Sequence, residues 1–212
     1  MTVLVIGAGG HVGHLIVSQL KDQGQDVVAA PHKEADAKRF KTQGTKAVSF
    51  DLLKSVQELA KKMSGIDTVV FSAGAGGTGV DKTILVDLDG AVKSMQAAQS
   101  AGIKRYIMVS AIGADHRNQW MKSLLPYYVA KFYANVWLKH TDLNYTILEP
   151  GLLTFDKPTG NIQTQPSQKG GKISRGDVAA TVVASLKTPQ TIGKTITLVS
   201  GNQPIEKALT QT

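Results

Sequence analysis

The chain has 212 residues, 42% hydrophobic and 19% charged, a composition that excludes disorder and suits one soluble domain with a substantial core. It has no cysteine, so disulfides, thiolate catalysis and cysteine-held metals are excluded; no apolar run is long enough to span a bilayer, and the start lacks the basic leader and apolar stretch of a signal peptide. The expectation is a cytoplasmic protein with no membrane partner, whose formal net charge of +8 comes from scattered lysines such as Lys21, Lys54, Lys104 and Lys187 rather than from a basic run of the kind that grips nucleic acid.

Short β-rich runs alternate with helix-period segments, which predicts an α/β fold: a single doubly wound Rossmann-type domain over residues 1–212 with a mostly parallel central sheet. Val3 to Ile6 is a continuous apolar run, as for a strand covered on both faces. Val12, Leu15, Ile16 and Leu20 then repeat at helical spacing up to Gly24. Val27 to Ala30 and Lys46 to Phe50 read as the second and third strands, and Val56, Leu59, Ala60 and Met63 as a short helix. Thr68 to Ser72 is the fourth strand, followed by a long helix from about Asp81 to Ala101. Tyr106 to Ser110 is the fifth strand, Pro126 to His140 the next helix, and Tyr145 to Leu148 the sixth strand. The polar stretch Thr154 to Lys172 is too long for a routine connection and reads as either a functional flap or a mobile segment. Val178 to Leu186 makes a last amphipathic helix and Thr195 to Val199 a final strand.

The strongest motif is Gly7-Ala8-Gly9-Gly10-His11-Val12-Gly13, between the first strand and the first helix. It fits G-x-x-G-x-x-G through Gly7, Gly10 and Gly13, and not G-x-G-x-x-G, because Val12 stands where that pattern needs glycine. Such glycines give a tight turn, let a diphosphate approach the backbone, and bring helix against strand. The helix N-terminus beyond them, with His11 and Val12, faces the phosphates. After the second strand come Pro31, His32 and Lys33, without the acid that would bond a ribose 2′-hydroxyl; Glu34 comes too late. Lys33, helped by His32, would attract a 2′-phosphate, so NADP(H) is the expected cofactor. His11, His14, His32, His116 and His140 have no metal-site spacing with carboxylates, and no metal is expected.

These residues resemble the atypical short-chain dehydrogenase/reductases over nearly the full length. The resemblance includes Phe50-Asp51-Leu52, Ser72-Ala73-Gly74-Ala75-Gly76-Gly77, Val86-Asp87-Leu88-Asp89-Gly90-Ala91, Lys104 to Ser110, Tyr145 to Gly151, and Ile173-Ser174-Arg175-Gly176-Asp177-Val178-Ala179. It implies adenine contacts from Asp51 and Leu52, and a cofactor-lining loop at Ala73, Gly74 and Ala75. Pro150, Gly151 and Leu152 would provide further cofactor contacts. It also implies catalysis by Ser110, Tyr127 and Lys131, with Asp87 standing where the longer-studied members carry Asn. Lys131 would additionally bond the nicotinamide ribose, and the acceptor would be a small carbonyl, quinone-like or flavin-like molecule.

Tyr127 and Lys131 lie four apart, on one face of their helix. An isolated ammonium about 4 Å from a phenol would favour phenolate by roughly 4 kcal/mol at an effective dielectric near ~20. Asp87 beside Lys131 would offset part of that effect, anchor a water relay, or only brace its helix. Glu149 stands where many relatives have Arg. The substrate site is expected from the Ala111 to Leu125 loop, with Trp120 and Met121, and from Leu152 to Lys172, either of which reads equally as surface loop. The alternative function is a non-catalytic NADP(H) sensor reporting to a protein partner; hydride transfer without Tyr127 is a further variant.

Overall fold

The computed structural model describes residues 1–166 and 170–212. Seven strands pair in parallel: β1 (Thr2–Ile6), β2 (Asp26–Ala30), β3 (Lys46–Ala47), β4 (Thr68–Phe71), β5 (Arg105–Val109), β6 (Asn144–Pro150) and β10 (Lys194–Ser200). Two more, β8 (Asn161–Thr164) and β11 (Gln203–Pro204), extend the sheet antiparallel, and β7 (Leu152–Thr154) pairs with β9 (Lys172–Ser174) in a separate ribbon. The sheet order is β11-β8-β10-β6-β5-β4-β1-β2-β3, so the chain reverses direction between β1 and β4. In open α/β sheets, ligands bind beyond the carboxyl ends of the strands at such a reversal.

Both faces of the sheet are covered. The alternation within β1 sends Val3 and Val5 to one face and Leu4 and Ile6 to the other. The first face packs under α1 (His11–Asp22) and α7 (Arg175–Ser185), through Ile16, Leu20, Val178 and Val182. The second packs under α3 (Val56–Lys61), α5 (Ala91–Ser100) and α6 (Leu125–Lys139), through Leu59, Met95 and Leu138. This two-sided burial is why the strands read as unbroken apolar runs.

Several expectations need correction. A helix α2 (Glu34–Thr42), not expected from the sequence, follows β2; it buries only Ala37 and Phe40, too little apolar surface to register as a period. Its acids lie in the first turn and its basic residues in the last, matching the helix dipole. The third strand stops at Ala47, although Val48 and Phe50 still donate to the carbonyls of Ala29 and Pro31.

The long helix expected over Asp81–Ala101 is broken. It begins as α4 (Val80–Lys82), runs through a π-type segment Thr83–Gly90, and only then continues as α5. A π segment widens the turn and redirects side chains, and here the buried faces are Thr83, Asp87 and Gly90. The polar stretch contains β8; its residues 167–169 lie outside the described residues. It is fastened by the buried Asp177 carboxylate, which accepts from Thr159 N at 3.0 Å, Gly160 N at 2.8 Å and Ser174 Oγ at 2.9 Å. After β10 come β11 and α8 (Ile205–Thr210), also not expected.

Candidate functional site

The glycine motif divides into three physical roles. Gly7 has φ +84°, and a Cβ there would lie 2.6 Å from the Ala73 nitrogen, so no side chain fits. A Cβ on Gly13 would lie 2.3 Å from the Gly7 oxygen and 2.8 Å from Ser72 Oγ; its absence is what lets α1 sit against β1 and β4. Gly10 differs from both. Its φ of −80° is open to any residue. A Cβ would meet only the Gly7 oxygen at 3.3 Å and would otherwise project into open space. That opening lies at the N-terminus of α1, whose first turn carries no acid.

Two cavities meet at this point. One, of about 490 Å³, is lined by Gly7, Gly10, His32, Lys33, Asp51, Leu52, Ala73, Gly74 and Ala75, bringing together the residues expected around the adenosine half. Asp51 Oδ1 accepts from Leu53 N at 3.0 Å and lies 3.7 Å from His32 Nδ1. Lys33 caps α2 through its backbone and leaves its side chain exposed. Two lining residues escaped the sequence reading. Lys82 is a further cation on the wall, and Asp36, one turn into α2, sits 3.3 Å from where a Gly9 Cβ would be. Arg39 pairs with Asp36 at 3.2 Å.

The second cavity, of about 680 Å³, shares Gly10 and Ser72 to Ala75 with the first and is also lined by His11, Val12, Asp87, Ser110, Tyr127 and Lys131. Ser110, just beyond β5, is buried, and its Oγ has no hydrogen-bond partner among the described residues. Lys131 lies 3.0 Å from Asp87 Oδ1, both almost fully buried at 3% and 1% exposure. The other oxygen of Asp87 accepts from Ala75 N at 2.8 Å, so one carboxylate braces the loop after β4 and holds the lysine. Burial works against the Lys131 charge, but Tyr127 and Asp87 outweigh it and raise its pKa above the ordinary lysine value. The ammonium is 5.6 Å from the Tyr127 ring centroid. Asp87 shares that ammonium, and so offsets part of its effect on the phenol.

Other expected contacts fall elsewhere. Pro150, Gly151 and Leu152 line neither of these two cavities; Leu153 does. Gly151 lacks a side chain for a packing reason, because a Cβ would lie 2.5 Å from the Gly171 oxygen. From the Ala111 to Leu125 loop, Ser123 and Leu124 reach the second cavity. Trp120 instead stacks on Tyr128 at 6.1 Å and donates to the Ala114 carbonyl at 3.1 Å, while Met121 is exposed. Glu149 is buried behind the site, where Asn135 Nδ2 donates to it at 3.0 Å. Burial, reinforced by the Asp115 charge, pushes its carboxyl up to about 7.

Two cavities thus meet at a bare, glycine-lined helix start beyond the carboxyl ends of the strands, where folds of this topology bind dinucleotides. The protein is of the Rossmann dinucleotide-binding class. A family profile described as NAD(P)H-binding matches residues 7–189, and the chain belongs to that family. A Bacillus subtilis protein described as an uncharacterized sugar epimerase is 44% identical over 211 residues, 99% of each chain. The oxidoreductase ylbE of Lactococcus lactis has a crystal structure with TM-score 0.92 and 33% identity, covering 100% of this chain and 96% of that one. A more partial likeness links residues of this chain to a photosystem II assembly factor of Synechocystis, 31% identical over 149 residues, 70% of this chain and 44% of that protein. Among the described residues no helix is long and apolar enough to cross a membrane, and no three His, Cys, Asp or Glu side chains are grouped to hold a metal.

Proposed function

We propose that the protein is an NADP(H)-dependent oxidoreductase that reduces a carbonyl, quinone-like or flavin-like acceptor. The carrying observation is the second cavity, where the unpartnered Ser110 Oγ, Tyr127 and the Lys131–Asp87 pair line one space beside the glycine cradle. The fit of a dinucleotide rests on Gly10, whose missing side chain leaves the helix N-terminus open, and on the cation-bearing wall at His32, Lys33 and Lys82. The reduced nicotinamide, when bound, supplies the hydride. Ser110 Oγ, free of internal partners, donates a hydrogen bond to the acceptor oxygen. Tyr127 gives that oxygen a proton as it gains electron density, so one hydride and one proton together reduce the acceptor. Lys131, held by Asp87 and 5.6 Å from the Tyr127 ring, would bond the nicotinamide ribose. Selectivity for NADP(H) rests on Lys33 and His32, and Asp36 opposes it less than a lone carboxylate because Arg39 takes up its charge.

The test is NADPH oxidation against aldehydes, ketones, quinones and free flavins, with Tyr127→Phe beside the native protein. The variant keeps NADPH affinity and loses about 10²- to 10⁴-fold in turnover with a carbonyl acceptor. Turnover surviving within about threefold excludes acid catalysis by Tyr127 and leaves hydride transfer by positioning. Lys33→Ala narrows an expected NADPH-over-NADH preference of about tenfold by weakening NADPH; equal native affinities reject the cofactor choice. The second reading, a non-catalytic sensor, draws on the partial likeness to an assembly factor. Tight NADPH binding without turnover of any acceptor puts it first.

A further inference from the structure

A third cavity, of about 760 Å³, lies between α1, Arg39 of α2 with Gln43 just beyond that helix, and residues 154–158. It joins the second cavity at a fork, where both are lined by Gly10, His11 and Arg175. The two lobes that meet at the glycine cradle already provide for the two halves of a dinucleotide. The branch is surplus to the cofactor.

Arg175 stands at the fork. It is half-buried in the first turn of α7, and its Nη1 donates to the Leu153 carbonyl at 3.1 Å. Its guanidinium carbon lies 3.9 Å from the centroid of the Phe155 ring. Phe155 is 77% exposed, and its other close aromatic contact is the edge of His11 at 5.1 Å. An apolar ring left this open is not core; it lies between the guanidinium and the imidazole of His11. A guanidinium has five N–H donors, and among the described residues no carboxylate lies within ion-pair distance of this one. A planar, pre-oriented, unpaired fork of donors suits a carboxylate or a phosphate. The surroundings agree in sign: Lys157 and Arg175 line the branch against the single acid Asp156, the further cation Arg39 being paired with Asp36.

We propose that Arg175 binds an anionic group of the acceptor, so that the substrate class is carbonyl compounds carrying a carboxylate or phosphate. This rests on the oxidoreductase reading above. Ser110 and Tyr127 hold the reacting oxygen in the second cavity, Arg175 takes the anion at the fork, and the remaining body of the acceptor extends into the branch beside Phe155.

The experiment compares terephthalaldehydic acid with its methyl ester as acceptors, using the native protein, Arg175→Met, Arg175→Lys and Phe155→Ala. Native protein favours the acid. Arg175→Met raises KM for the acid and lowers the acid-over-ester selectivity by about 10- to 100-fold, with NADPH affinity kept within about threefold. Arg175→Lys restores part of the selectivity, because it keeps the charge without the fork. Phe155→Ala, an exposed change that leaves the core intact, moves the selectivity in the same direction as Arg175→Met. A calorimetric titration of the NADP-saturated proteins with naphthoate separates this proposal from the one beneath it. Arg175-dependent naphthoate binding without turnover of either aldehyde, or of any quinone or flavin, upholds the anion site and overturns the oxidoreductase reading. Two results overturn the anion site: NADPH affinity falling with Arg175→Met while the acid-over-ester ratio holds, which assigns Arg175 to the cofactor diphosphate, or no change in any of these quantities, which leaves it a brace for Leu153 and Phe155.

Discussion

Glu149→Gln isolates the buried carboxyl behind the site. Glu149 closes β6 just before Pro150 and is 1% exposed. Asn135 Nδ2 donates to one of its oxygens at 3.0 Å and Thr197 Oγ1 to the other at 3.4 Å. Lys139, whose charge works the other way, is already paired with Asp115. Burial and the Asp115 charge together raise the carboxyl from 4.5 to about 7. The folded protein therefore holds this proton more tightly than the unfolded chain. Its contribution to stability is fully present below pH 4.5 and is lost as the pH rises toward about 7, the range set by those two values. At 1.36 kcal/mol per pH unit, the loss is about 3 kcal/mol. Glutamine has the same shape, can still accept from Asn135, and cannot ionise. Urea unfolding of both proteins at about pH 4.5, 6 and 8 gives the difference in stability at each pH, in which the other titrating groups cancel. The variant gains on the native protein by about 3 kcal/mol across the range. Parallel curves, with the difference constant within about 0.5 kcal/mol, refute the argument.

Gly10→Val leaves the protein folded, with a near-native melting temperature, because φ is −80° and only the Gly7 oxygen is near the new Cβ; it abolishes NADPH binding by filling the cradle, and unchanged affinity in a titration removes the diphosphate from that position. Gly13→Ala behaves in the opposite way, losing stability in urea by about 1–3 kcal/mol because its Cβ would lie 2.3 Å from a backbone oxygen. Asp87→Asn removes the counter-charge of a lysine that is 3% exposed, and its unfolding free energy falls by about 3–5 kcal/mol, the usual cost of breaking one side of a buried pair; a loss under about 1 kcal/mol shows that Lys131 is not held as a buried ion.

The sequence by itself determined what local periodicity and spacing encode. Apolar runs specified strands buried on both faces, Gly7, Gly10 and Gly13 specified the turn into α1, and a spacing of four put Tyr127 and Lys131 on one helical face. Ser110 was legible as a strand end for the same reason. It was equally informative where patterning was local but function was not: the resemblance at Ile173 to Ala179 singled out Arg175 and Asp177 without saying what either does. Tertiary structure decided the rest. Asp177 turned out to fasten the stretch at Thr159 and Gly160, whereas Arg175 meets Phe155, and Phe155 meets His11, only because α7 packs beside α1 and the chain after β7 folds over both. Asp36 reaches the cavity from a helix too polar to show a period, and Gly151 answers to Gly171 rather than to a ligand. The π segment that turns Asp87 toward Lys131 has the same residue types as an ordinary helix. Strand β8 joins β10 and β11 although Asn161–Thr164 is largely polar, because the edge of β10 offers it backbone partners. Each of these depends on groups far apart in the chain, and their meeting is fixed by the burial of whole faces, which no short window of sequence contains.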